Sequence, residues 1–213
     1  LYTLRDSTRI VFALTSDHGV SPFPEVAFPG ADPDRGRVNP QPVIDAARSA
    51  LAARGVEGDA LMLQAGIVSL DRRRLAAKRV NADSMVTALR GQLLKLPGML
   101  RVDRVSTLAA AAATGDVIAR RWLHSIPTDF QAELTVTFKP GYYWYSTRYA
   151  AHGSPHDLDA RIPILFMGPQ VKPGRYAKPV FSVDIAPTLA EMLGIPPTEK
   201  VDGRVLTEVL RRP

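Results

Sequence analysis

Two short segments of this chain carry residue types suited to metal chemistry. The first is "RIVFALTSDHGVSPFPE", residues 9–25, in which Asp17 and His18 follow an apolar run and precede Gly19. The second is "HGSPHDLD", residues 152–159, in which His152 stands beside Gly153 just ahead of another apolar run. A carboxylate oxygen and an imidazole nitrogen are apt ligands for zinc, and a glycine lets the backbone turn tightly beside them. The chain has no cysteine, so disulfides, thiolate sites and cysteine nucleophiles are excluded. Any metal must be held by His and carboxylate, which favours zinc or a harder divalent ion. Taken alone, Asp-His-Gly also reads as a polar turn with an Asx cap, and a single histidine as a structural one. Taken together, Asp17, His18 and His152 favour metal ligation.

Elements must carry these residues to one place. Ile10 to Leu14 is a short apolar run with β-branched members, the pattern of a strand buried on both faces as in a parallel sheet. In open parallel sheets, ligands collect beyond the carboxyl ends of the strands, where the chain turns and neighbouring side chains can swing toward one ion. "RIPILFMGP", residues 161–169, predicts a second buried strand directly after the His152 loop. Between the two lies an irregular Pro-rich loop over 21–39 and then an alternating texture. Helical periods are expected over 42–54, 82–96 and 114–124, and strands over 60–70, 101–108 and 133–139. "ELTVTFK" alternates as a half-buried strand should. "VDIAPTLAEMLGI", residues 183–195, predicts a helix capped by Asp184. The expected fold class is therefore α/β, with a core split into residues 1–36 and 140–213 and an α/β subdomain, 37–139, inserted between them.

At 213 residues the chain is long enough for one or two domains, and with 46% hydrophobic and 23% charged residues it reads as globular. No apolar stretch approaches the roughly 20 residues that span a bilayer. The formal charge of +6 suits an anionic ligand. Its clusters, Arg72-Arg73-Arg74, Arg120-Arg121 and Arg211-Arg212, read as solvated faces. No ribonucleoprotein aromatic motif or GXXG clamp is present, so nucleic acid is not an expected partner.

Three stretches carry a family resemblance: "LTSDHGVSPFPE", "HGSPHDLDARIPILFMGP" and "VDIAPTLAEMLGI" with the later "DGRVL". They resemble the C-terminal part of the alkaline phosphatase superfamily, in particular bacterial single-chain alkaline phosphatases and type I phosphodiesterases or nucleotide pyrophosphatases. "IVSLD", "LPGMLRVDRVSTLAA" and "ELTVTFKPGYYWY" are similar to that group's inserted segment, in matching order. The resemblance implies an alkaline-phosphatase-like sandwich with a central, mostly parallel sheet. It also implies a hydrolase with two zinc ions acting on a phosphate ester and exported to the periplasm or medium. Asp17 and His18 would hold the metal that activates the nucleophile, and His152 the partner metal that stabilises the leaving oxygen. Asp159 would orient His152 or cap its loop.

In that family the nucleophile, a Thr or Ser, and the remaining ligands precede the "SDHG" strand. Only sixteen residues precede Asp17 here, and Thr3, Ser7 and Thr8 match no nucleophile motif. No catalytic nucleophile is assigned. The chain is expected to be the C-terminal piece of a phosphomonoesterase, inactive alone and with incomplete metal sites. The alternatives are a phosphodiesterase or nucleotide pyrophosphatase of the same superfamily, or a non-catalytic binding module. Among other polar residues, His156 is expected beside the site or at the surface, and His124 exposed. Tyr142 to Tyr145 are expected to pack a domain junction or to wall a substrate cleft.

Overall fold

In a computed structural model the chain is described over residues 6–22, 30, 36–145 and 151–211. Thr3 and most of the Pro-rich stretch fall outside these. In chain order the elements are strand β1 (Phe12–Thr15), strand β2 (Arg37–Val38), helix α1 (Gln41–Ala52) and strands β3 (Leu61–Gln64) and β4 (Ile67–Leu70). Helices α2 (Arg72–Ala77) and α3 (Ala82–Leu93) follow, then strand β5 (Met99–Arg104), helices α4 (Val105–Ala113) and α5 (Val117–Ser125), and strand β6 (Ala132–Phe138). The last elements are β7 (Tyr143–Trp144), the single turn α6 (Asp157–Ala160), β8 (Ile164–Met167) and helix α7 (Ile185–Leu193). They fall into two units, His18–Ala160 and Leu1–Asp17 with Arg161–Pro213. Among the described residues, no helix is long and apolar enough to cross a membrane.

The larger unit is built on an antiparallel sheet in the order β3-β4-β6-β5. Ile44 and Leu51 of α1, with Val86, Leu89 and Leu93 of α3, cover one face against Leu61, Val68, Val102, Leu134 and Val136. Leu108 of α4, with Ala119 and Trp122 of α5, covers the other. The alternation in "ELTVTFK" therefore does not mark a wet face. Thr135 and Thr137 are buried, and Trp122 Nε1 donates to Thr137 Oγ1 at 2.8 Å, so β6 is central in a three-layer sandwich. Threonine suits such a site because its hydroxyl can satisfy a buried indole N–H while its methyl packs.

The expected strand over 60–70 is a hairpin instead. Gln64 pairs with Ile67, and the two loop residues, Ala65 and Gly66, both have positive φ. That is the arrangement of a tight two-residue turn. Gly66 is required twice over, since a Cβ there would sit 2.7 Å from the Trp122 ring. β2 runs parallel to β7, with Arg37 opposite Tyr143 and Val38 opposite Trp144. This pairing ties both flanks of the 37–139 stretch into the unit that contains it.

In the first basic cluster, Arg72 and Arg74 are paired with nearby carboxylates. Arg72 makes a two-pronged ion pair with Glu133 and reaches Asp83 at 2.9 Å, and Arg74 reaches Asp59 at 2.7 Å. Arg101 bridges Asp103 and Asp116.

In the smaller unit β1 pairs with β8, but antiparallel, with Phe12 opposite Met167 and Leu14 opposite Leu165. Leu14 is 65% exposed, so the parallel, doubly buried strand read from Ile10 to Leu14 is not what forms. A β-branched apolar run records a capacity for burial, not the direction of a neighbour. Met192 of α7 packs with Leu206 and Val209, flanked by Val11 and Phe166. Asp184 does not cap α7. Its buried carboxylate accepts from Phe181 N–H at 2.9 Å and Arg204 N–H at 2.8 Å, joining the start of α7 to the "DGRVL" segment. Thr188 completes this staple by donating to Asp184 O and accepting from Leu206 N–H. A carboxylate before a helix serves whichever orphan N–H approaches, and here a residue twenty positions away supplies one.

Candidate metal centre

Asp17 closes the smaller unit, where it is exposed and within 3.4 Å of Ser16 Oγ. His18 opens the larger unit, and the geometry that follows belongs to that unit. The His18 ring lies face to face with the His152 ring, centroids 3.5 Å apart and planes inclined by 10°. The sequence separates these rings by 134 positions, and the fold brings them together. His18 Nδ1 is 2.7 Å from its neighbour's carbonyl, Gly19 O. A carbonyl only accepts, so the proton sits on Nδ1 and the ring lone pair on Nε2.

The two histidine loops are sewn to each other. Ser21 N–H donates to Ala151 O at 3.0 Å and Gly19 N–H to Asp159 O at 2.7 Å. A Cβ at position 19 would lie 2.0 Å from Leu158 O, so only glycine permits this approach. Asp159 is 5% exposed and uses both carboxylate oxygens, accepting from Ser21 Oγ at 2.6 Å and from Ser154 N–H at 2.8 Å. Of its two expected roles, the hydrogen bonds are those of the loop cap: Asp159 fixes the backbone on either side of the ring pair.

Further contacts hold the His152 loop from outside. Arg121 on α5 donates to Pro155 O and to Asp157 Oδ1, both at 2.7 Å. His156 Nε2 lies 2.8 Å from Phe138 O at the end of β6, so that ring is structural. The Tyr143 phenol donates to Ser21 O and Pro22 O, the latter at 2.6 Å. Burial, and next the charge of Asp159, push its pKa up, so it stays a neutral donor. Arg121, Tyr143 and Ser21 carry no sequence signal for this task, because each acts on a partner far along the chain.

Ring lone pairs lie in the ring plane. Two imidazoles stacked nearly parallel at this centroid spacing therefore cannot converge on one ion. That spacing, 3.5 Å, matches the roughly 3.5–4 Å between the ions of two-metal hydrolytic sites. Among the described residues, no group of three or more His, Asp or Glu converges on one point. The donor chemistry and spacing thus fit one imidazole per ion of a dinuclear centre, each ion needing further ligands.

No family model matches the chain. By sequence it is similar to alkaline phosphatase PafA of Elizabethkingia meningoseptica, 28% identical over 146 residues, covering 68% of this chain and 27% of that protein. It is also similar to alkaline phosphatase PhoK of a Sphingomonas species, 28% identical over 220 residues, covering 95% of this chain and 38% of that one. By structure it superposes on crystalline wild-type alkaline phosphatase PafA with a TM-score of 0.77 and 22% identity, covering 96% of this chain and 39% of that one. The chain thus spans only 27% to 38% of the length of these two relatives by sequence. A TM-score of 0.77 over 96% of its residues fixes the fold, and similarity at 28% identity over nearly the same span agrees with it. This α/β chain thus has the fold of alkaline phosphatase PafA over 39% of that protein's length, and by sequence it is similar to bacterial alkaline phosphatases.

Proposed function

We propose that this chain supplies part of the metal centre of a two-metal phosphate-ester hydrolase, acting on phosphomonoesters. The observation that carries this is the face-to-face pair of His18 and His152, 3.5 Å apart on loops that the chain joins through Asp159. His18, with Asp17 beside it in sequence, serves one zinc ion and His152 the other. When bound, the ion pair supplies positive charge to the attacking and leaving oxygens of an in-line displacement. The chain's own part is positional. Nδ1–H bonded to Gly19 O keeps His18 in the tautomer that offers Nε2, and Asp159 keeps the two rings at a fixed separation. The nucleophile is a Thr or Ser outside these 213 residues, and the protein works in the periplasm or outside the cell. The relatives named alkaline phosphatases support the monoester reading.

The test is made in the protein that carries this chain. His18→Ala and His152→Ala should each remove about one of two zinc ions by elemental analysis. Each should also lower turnover of 4-nitrophenyl phosphate by at least about 100-fold, with the far-UV spectrum unchanged. Full metal content and activity in both variants would refute the proposal, as would faster turnover of a bis-aryl phosphate than of the monoester.

A further inference from the structure

Among the described residues of the larger unit, His152 lines hollows of very different size. One, of about 60 Å³, lies between Trp122, Tyr143 and His156 and holds little beyond water. The other is a groove of about 630 Å³ whose lining includes His152, Trp144, Tyr145, Asn39 and Gln41. Its volume is that of a small-molecule site and far exceeds what a phosphoryl group occupies. Its described lining contains no Lys, Arg, Asp or Glu; apart from His152, it is aromatic, aliphatic and amide.

The aromatic wall is rigid. Trp144 sits in β7, paired with Val38, and its ring meets Phe138 edge-on at 4.6 Å. Tyr145 N–H donates to Val38 O at 2.9 Å, yet the Tyr145 residue is 65% exposed. A large ring held by its backbone in the lining that also contains a candidate metal ligand offers a surface on which a flat group can stack.

We infer that this groove seats the alcohol part of the phosphate ester, and that it selects planar, uncharged aryl or heteroaryl alcohols. The inference rests on the hydrolase reading and deepens it. His152 serves the ion at the leaving oxygen, so the group attached to that oxygen extends away from the His152 end. His152 is part of the groove's lining. A flat ring laid against Tyr145 and Trp144 replaces water on two aromatic surfaces. A charged alcohol finds no counter-ion among the described lining residues.

The experiment compares kcat/KM for 4-nitrophenyl phosphate and ethyl phosphate in the metal-loaded, full-length protein. Taking each ratio relative to wild type cancels the different intrinsic reactivities of the two esters. Tyr145→Ala should lower the aryl-over-ethyl ratio by about ten-fold, Trp144→Ala by a similar factor, and Tyr145→Phe should restore it, since stacking needs the ring and not the hydroxyl. A ratio unchanged in both alanine variants overturns the inference. So does a Tyr145→Phe variant that behaves like Tyr145→Ala. If wild type turned over neither ester, the hydrolase reading would fail by itself. The groove would then be judged by calorimetric binding of 4-nitrophenyl phosphate, which Tyr145→Ala must weaken at least five-fold for the inference to stand.

Discussion

Replacing Gly19 by alanine tests the way the two histidine loops are joined. The added Cβ would lie 2.0 Å from Leu158 O, against an ordinary contact of 3.4 Å or more, so the backbones must part by about 1.4 Å. Leu158 O is main chain and cannot swing aside. Parting the strands stretches the Gly19 N–H to Asp159 O bond of 2.7 Å and the Ser21 N–H to Ala151 O bond of 3.0 Å. Each is worth about 1 kcal/mol, and relieved overpacking costs about 1–3 kcal/mol more, so the variant should lose roughly 3–5 kcal/mol. For a chain of this size that is a fall in Tm of roughly 6–20 °C. Thermal unfolding followed by circular dichroism measures it, and zinc content reports whether the ring pair survives in the folded fraction. A Tm within a degree of wild type with full zinc would show that the loops are not in contact as described. The argument that glycine follows Asp17-His18 for reasons of space would then be wrong.

The remaining predictions need less development. Gly91, inside α3, has open space around it, so Gly91→Ala should stabilise the protein by about 0.5–1 kcal/mol, visible as a higher Tm in the same assay. Glu208 accepts from Arg204 at 2.8 Å, and this hydrogen bond holds its pKa down to about 2 from an ordinary 4.5. A depressed carboxylate pKa gives stability that is present above the unfolded value and lost as pH falls through the folded one. The loss should fall between about pH 4.5 and 2, and should be small because the pair is exposed. Carbon-13 titration of the Glu208 carboxyl should show the low midpoint, and Arg204→Ala should return it to the ordinary range.

Much of this fold was legible in the residues, and the failures share one cause. Helices over 41–52 and 82–93 follow from their apolar periods. The hairpin at Ala65-Gly66 was hidden because its turn lacks the Asn-Gly or Asp-Gly pair that usually advertises one. The segment of β6 was read as a half-buried strand, yet its threonines are buried, because alternation shows only that two faces differ and the α4–α5 layer that covers them comes from another part of the chain. Asp184 looked like a helix cap because the residue that claims its second oxygen, Arg204, is invisible at local range. At the candidate centre, His18 and His152 stood out because each is flanked by glycine next to an apolar run. Arg121 and Tyr143 did not, because a guanidinium beside another arginine and a tyrosine in an aromatic run look the same whether or not they brace a distant loop.

The Asp159 carboxylate has a bearing on protein engineering. It takes one hydrogen bond from each side of a junction whose members, Ser21 and Asp159, are 138 positions apart. Neither side is therefore a portable cassette. Moving the Asp-His-Gly segment into another scaffold transfers a turn whose lock stays behind, and a chimera that swaps the His152 segment alone inherits the complementary fault. The smallest transplantable piece is both segments with their shared acid, carried on a host that already holds those two stretches of backbone at the same separation.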